Sequence, residues 1–229
     1  MVTQARVAVI DDDPKVVASI RIGLEDESDL NPVTFPDGFD SLPEAVKLIM
    51  SGAEAAVCDH RLQPGNYAPF DGSELVGELV RRGFPAVLRT SFSGNNFDPK
   101  IRANKHDIPV MLGASSSGHE IAAALDLCRR EIGGDVSPER RTWRTFVRIV
   151  GQTGYGPDLI LRAIVPAWNA EEVIDIPFSI IPPGIIDEIV SRDGVRLFAR
   201  VNIGAESAQD LFFDDFEVAP EPDPNDGLA

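Results

Sequence analysis

Over residues 5–132 the chain alternates between short apolar runs and segments with helical spacing. The first run, Arg6-Val7-Ala8-Val9-Ile10, stops at three aspartates, Asp11 to Asp13. An apolar run without polar alternation predicts a strand covered on both faces. Pro14 then opens a segment with Val16, Val17, Ile20 and Leu24 at helical spacing, and proline suits a first helical turn because the N–H it lacks has no partner there. A weaker strand is expected at Val33-Thr34-Phe35. A helix is expected from Ser41 to Met50, with Leu42, Ala45, Val46 and Ile49 on one face and Gly52 as its stop. Ala55-Ala56-Val57-Cys58 reads as a third strand ending at Asp59. A loop follows from His60 to Gly72, and Ser73 is the expected cap of a helix running to Arg82. Pro85-Ala86-Val87-Leu88 predicts a fourth strand ending at Thr90-Ser91. Gly94 to Asp107 is weakly patterned and holds a short helix. Ile108 to Leu112 predicts a fifth strand, and Gly118 to Ile132 an amphipathic helix built on Ile121, Leu125 and Cys128.

Five strands alternating with five helices predict an α/β domain with a five-stranded parallel sheet covered on both faces. In such sheets ligands bind beyond the carboxyl ends of the strands. The residues at those ends are Asp11 to Asp13, Asp59, Thr90, Ser91 and Gly113. The pattern changes after Gly133-Gly134-Asp135. From Thr142 to Val150 it alternates, with Trp143, Thr145, Val147 and Ile149 on one side and Arg144, Phe146, Arg148 and Val150 on the other. Further strands are expected at Leu159 to Val165, Val173 to Ile176, Val195 to Ile203 and residues 211–218, with a short helix over Ile185 to Ser191. This predicts a small mostly-β domain, an antiparallel sheet or barrel, with Trp168, Phe198, Phe212, Phe213 and Phe216 in its core. The expected division is an α/β domain over 1–133, a linker over 134–139, a β-rich domain over 140–218, and an acidic, proline-rich disordered tail over 219–229.

Length and composition narrow the classes. At 229 residues, 43% hydrophobic and 25% charged, the chain is neither fibrous nor wholly disordered. No apolar run approaches the roughly 20 residues of a membrane span, and the N-terminus lacks the pattern of a secretory signal. Two cysteines, Cys58 and Cys128, are too few for a disulfide framework. A cytoplasmic location is expected. The net charge is −16, from 21 basic and 37 acidic side chains. Residues 1–135 carry 13 basic and 21 acidic groups and residues 136–229 carry 8 and 16, so neither part offers the basic field of a nucleic-acid-binding domain. The one basic cluster, Arg140 to Arg148, interleaves arginines with aromatics in a way that can bind nucleic acid. The preferred reading is an edge strand whose arginines pair with the surplus carboxylates.

Asp11, Asp12 and Asp59 form the candidate chemical core. Carboxylates converging from adjacent strand ends repel one another unless a cation lies between them, and Mg²⁺ favours one or two carboxylates with water and phosphate. A carboxylate held there can attack a phosphoryl donor, with Thr90 or Ser91 offering a hydroxyl to the phosphoryl oxygens. The plainer alternative is that Asp11 to Asp13 cap the helix at Pro14. Cys58 reads as a small buried hydrophobe. Strand alternation separates it from His60 and argues against a Cys–His nucleophile. His106 and His119 have no metal-ligand spacing with Cys128.

Four stretches carry a resemblance: Val7 to Pro14, Ala56 to Leu62, Asp71 to Leu75 and Val87 to Thr90. Together they resemble the receiver domain of bacterial two-component response regulators, over about residues 5–132. The resemblance implies a flavodoxin-like (βα)5 fold. It implies Mg²⁺ held by Asp11, Asp12, Asp59 and the main-chain carbonyl of Arg61, with Asp59 as phosphoacceptor and Thr90 as the hydroxyl contacting the phosphoryl group. It also implies a histidine kinase or phosphotransfer protein as donor, a protein partner for the C-terminal domain, and a possible homodimer. Three features depart from the pattern. The family's lysine at the end of the fifth strand is absent, since Met111-Leu112 runs into Gly113 and no Lys follows Lys105. The fifth-strand aromatic is absent, with Met111 close to its place. The loop after Asp59 is longer. A second reading is therefore a degenerate receiver serving as a phosphorylation-independent interaction module, an architecture that would suit a bacterial stress or defence system. A third, an enzyme within residues 140–229, is opposed by the lack of His, Lys and Cys there. Phe198 to Glu217 resembles segments of uncharacterised bacterial β-rich proteins and implies no chemistry.

Overall fold

The computed structural model describes residues 4–27, 29–91, 98–191 and 195–220. The chain divides into two compact units, residues 1–137 and 138–229. The first contains β1 (Ala5–Ile10), α1 (Pro14–Glu25), β2 (Leu30–Thr34), α2 (Leu42–Gly52), β3 (Ala55–Asp59), α3 (Gly72–Arg81), β4 (Ala86–Thr90), α4 (Pro99–Asn104), β5 (Met111–Gly113) and α5 (Gly118–Ile132). The strands pair in parallel in the order β2-β1-β3-β4-β5. This is the flavodoxin-like doubly wound order, which opens its crevice beside the first and third strands.

Alternation along the strands divides the core between the sheet's two faces. Ala8, Ile10, Ala56, Cys58 and Leu88 pack with Ile49 of α2, Leu75 of α3 and Ile101 of α4. Val7, Val9, Val57 and Val87 pack with Ile20 and Leu24 of α1 and Ile121 and Leu125 of α5. Helix α1 is capped by Asp13, whose Oδ1 accepts from the Lys15 N–H at 2.8 Å. Helix α3 is capped by Asp71, not Ser73: Glu74, three residues on, accepts from the Asp71 N–H at 2.8 Å, and Ser73 is buried in the first turn. Strand β5 is shorter than expected. Pro109 has no N–H to donate, so regular pairing begins at Met111, although Ile108 is buried. Within the weakly patterned stretch Gly94 to Asp107, residues 94–97 lie outside those described. The helix there is α4, followed by a 3-10 turn over Lys105–Asp107.

The second unit contains β6 (Trp143–Thr153), β7 (Ile160–Val165), β8 (Asn169–Pro177), α6 (Pro183–Ser191), β9 (Arg196–Val201) and β10 (Phe213–Val218). They form an antiparallel sheet in the order β10-β9-β6-β7-β8. Strand β6 is therefore the central strand, bonded to β7 and β9, not the edge expected from its arginines. Val147, Leu161, Ala163, Ile176, Leu197 and Val201 line one face with Ile185 and Ile189 of α6. Phe213 and Phe216 belong to that core, and Trp168 packs against it and donates Nε1–H to the Ala205 carbonyl at 2.8 Å. Phe198 does not: it lies on the opposite face with Phe146, ring centroids 6.1 Å apart. Asn202, buried, ties the connection to β10. Its Nδ2 donates to the carbonyls of Glu139 and Asp210 at 3.1 and 3.0 Å, and its Oδ1 accepts from the Phe212 N–H at 2.7 Å. The expected disordered tail falls, from residue 221 onward, outside the described residues. Among the described residues no helix is long and apolar enough to cross a membrane.

Candidate functional site at the carboxyl edge of the parallel sheet

Strands β1 and β3 run side by side with Ile10 opposite Cys58, so Asp11 and Asp59 emerge together from the sheet. On the next strand Arg89 stands opposite Asp59, and on the last Gly113 stands opposite Thr90. Asp13 caps α1, so the capping reading accounts for that residue.

Asp11 is buried, and its Oδ1 accepts from the Asp13 N–H at 2.9 Å. Its other oxygen lies 3.6 Å from Nη1 of Arg89. Burial pushes its pKa up to about 6, and the negative charges of Asp59 and Asp12 push the same way, against the Asp13 N–H and the Arg89 guanidinium. Asp59 is also raised, first by burial and further by the charge of Asp12. The Arg61 N–H, donated to its Oδ2 at 2.7 Å, and the charge of Arg89 oppose the shift. The three carboxylates thus share one electrostatic field.

The backbone around Asp59 is tightly fixed. The Gly72 N–H donates to the His60 carbonyl at 2.7 Å and the His60 N–H to the Arg89 carbonyl at 3.0 Å. A Cβ on Gly72 would overlap the Asp59 carbonyl oxygen. Buried His60 bonds Oδ2 of Asp98 through Nε2 at 3.2 Å. Burial works against the Asp98 carboxylate, but this bond and the N–H groups of Ile101 and Lys100 bring its pKa down to about 2. Beside Asp98 on the chain, Lys100 pairs with Asp71, the α3 cap. Thr90 is buried at the end of β4. Cys58 is fully buried, burial drives its thiol pKa well up, and its Sγ donates to the Asp59 carbonyl at 3.2 Å. It is a packing residue, not a nucleophile.

Arg89 is the site residue that the sequence reading passed over. Its side chain is 11% exposed. The available signal was a guanidinium inside the apolar run Ala86-Val87-Leu88, since a buried cation needs an anionic partner. Arg89 also lines a cleft of about 470 Å³ with Ser19 and Gly23 of α1 and Ser116 and His119 of the β5–α5 region.

Among the described residues, no three His, Cys, Asp or Glu side chains form a ready-made metal cage. The donor set is instead a small group of carboxylates carrying more negative charge than Arg89 offsets. That chemistry fits Mg²⁺, which takes few protein carboxylates and completes its shell with water and phosphate.

In the second unit, cross-strand register places Arg144 opposite Arg200, Phe146 opposite Phe198 and Arg148 opposite Arg196, all on the face away from the core. Arg144 lies over the Phe198 ring at 3.8 Å and bonds Glu217 at 2.8 Å. The expected pairing with surplus carboxylates is present at this arginine.

No family model matches the chain, and no curated protein matches it in sequence. Its similarity is to solved structures. The signal receiver domain of the response regulator NarL from Mycobacterium tuberculosis is 21% identical, covers 56% of this chain and 98% of its own, and has a TM-score of 0.41. A response regulator receiver domain protein from Clostridium thermocellum is 16% identical over 56% of this chain and 95% of its own, with a TM-score of 0.42. The signal receiver domain of a modulated diguanylate cyclase from Desulfovibrio desulfuricans is 17% identical over 58% of this chain and 98% of its own, with a TM-score of 0.46. These similar structures are receiver domains, matched by the N-terminal part of the chain. The antiparallel second unit lies outside that likeness.

Proposed function

We propose that residues 1–137 form a response-regulator-like receiver that accepts a phosphoryl group on Asp59 and passes that state on through the second unit. The observation that carries this reading is the register that brings Asp11 and Asp59 out side by side at the crevice of a 2-1-3-4-5 sheet. A Mg²⁺ ion held by Asp11, Asp12, Asp59 and the Arg61 carbonyl would neutralise charge on the phosphoryl oxygens. A carboxylate oxygen of Asp59 attacks phosphorus of a phosphohistidine donor. The new P–O bond forms as the donor's P–N bond breaks, and the imidazole leaves with the electron pair and takes a proton from solvent. Thr90, buried at the neighbouring strand end, supplies a hydroxyl on that side. The donor is a histidine kinase or phosphotransfer protein, and the second unit binds a protein partner. The setting is the bacterial cytoplasm.

Gly113, which brings no charge to the strand end, favours a second reading: an interaction module that works without phosphorylation. Beryllofluoride, a phosphoryl analogue, separates the two. With Mg²⁺ it is expected to raise the melting temperature of the full chain and leave Asp59→Asn unchanged. No shift in the wild type supports the second reading.

A further inference from the structure

Arg89 occupies an unusual place for a guanidinium. Its neighbours Ala86, Val87 and Leu88 are fully buried. Alternation sends its side chain to the Val87 face of the sheet, and its register partner on β3 is Asp59. Its charge acts on both Asp11 and Asp59. Yet Nη1 stands 3.6 Å from Asp11, longer than a hydrogen bond. Nε is buried with no hydrogen-bond partner among the described residues. The cation is thus drawn to the carboxylates without having its donors used by them, and a buried unused donor costs free energy.

The space next to it is open: the guanidinium borders the cleft it lines with Gly23 of α1 and Ser116 and His119. β5 ends level with Thr90 at Gly113, which brings no side chain to the strand end. A phosphoryl group on Asp59 would bring three acceptor oxygens and a second negative charge to this spot. Guanidinium matches such an oxygen set with a planar fork of donors and stays charged at every working pH.

We propose that Arg89, reaching in from β4, is the cation that binds the phosphoryl group on Asp59, a charge that Gly113 at the end of β5 does not supply. This rests on the reading of Asp59 as phosphoacceptor. It assigns the charge to a different strand from the one where the resemblance implies it, and it makes the unused Nε a donor reserved for the phosphorylated state.

The test uses the full chain, beryllofluoride and a fixed excess of Mg²⁺, with Asp59→Asn as control. Arg89→Gln is expected to weaken beryllofluoride binding about 10- to 100-fold, the worth of a charge-assisted hydrogen bond. It is expected to shorten the lifetime or yield of the acyl phosphate in step. Adding Gly113→Lys to Arg89→Gln puts a long, flexible cation at the neighbouring strand end, from where it can reach the phosphoryl group, and is expected to recover part of the loss, a rescue that a packing role would not show. If Arg89→Gln melts far below wild type, Arg89→Lys takes its place, with a loss under about 10-fold because the charge remains and only the fork is gone. Unchanged beryllofluoride affinity in Arg89→Gln overturns the proposal. So does tighter Mg²⁺ binding with that affinity unchanged, which would assign Arg89 to resting-state neutralisation of Asp11. A wild type that takes up no beryllofluoride, or an Asp59→Asn that takes it up equally, overturns the reading of Asp59 itself and this one with it.

Discussion

Asp11 shows what a buried carboxylate costs its fold. Its pKa rises from 3.8 to about 6 because burial and two neighbouring charges disfavour the ionised form. A raised carboxylate pKa means the folded state holds the proton more tightly, so stability falls as pH climbs from about 4 to about 6 and the full cost persists above that. Two pKa units correspond to about 3 kcal/mol. In chelator-treated buffer, Asp11→Asn keeps an oxygen for the Asp13 N–H and removes the charge. It is expected to be about 1–3 kcal/mol more stable than wild type at pH 8 and no more stable at pH 4, by urea unfolding. Equal stability at both pH values would contradict the electrostatic account. At this scale the carboxylates were legible because strand ends are fixed by where apolar runs stop, and Asp11 and Asp59 stop two of them. Arg89 was not, because a single polar residue in an apolar strand reads as its boundary, and only the register with Asp59 shows it facing an anion.

Among the elements, the crevice depends on how closely α3 approaches β3. Gly72 opens α3 against the Asp59 carbonyl with no room for a side chain. Gly72→Ala is expected to cost about 1–3 kcal/mol of stability by overpacking and to displace Asp59. Gly113→Ala, added into open space, is expected to stay within about 0.5 kcal/mol. Paired urea titrations check both, and equal effects would show that the close approach is not what holds Asp59. Most elements followed from periodicity, because burial against neighbours imposes period 2 on strands and 3.6 on helices. The misses have local causes: a cap set by Asp71 with Glu74, and a ladder delayed by Pro109. The place of β6 within its sheet was different. Alternation tells which residues share a face, but strand order is set by non-local pairing with β7 and β9, which no window of sequence contains.

For the whole molecule, the two units carry separate cores and different amounts of functional information. The parallel unit brings Asp11 and Asp59 out at adjacent strand ends of a 2-1-3-4-5 sheet. The antiparallel unit presents an arginine and phenylalanine face to which the residues assign no reaction, so its part in the proposal is that of a partner-binding module. The central claim therefore rests on one atom pair, a carboxylate oxygen of Asp59 and phosphorus. Incubating the full chain with Mg²⁺ and acetyl phosphate and following its intact mass tests that bond directly. The account predicts a gain of one phosphoryl group that is lost on treatment with hydroxylamine and never forms in Asp59→Asn. An unmodified mass at saturating donor, or the same gain in Asp59→Asn, would contradict it.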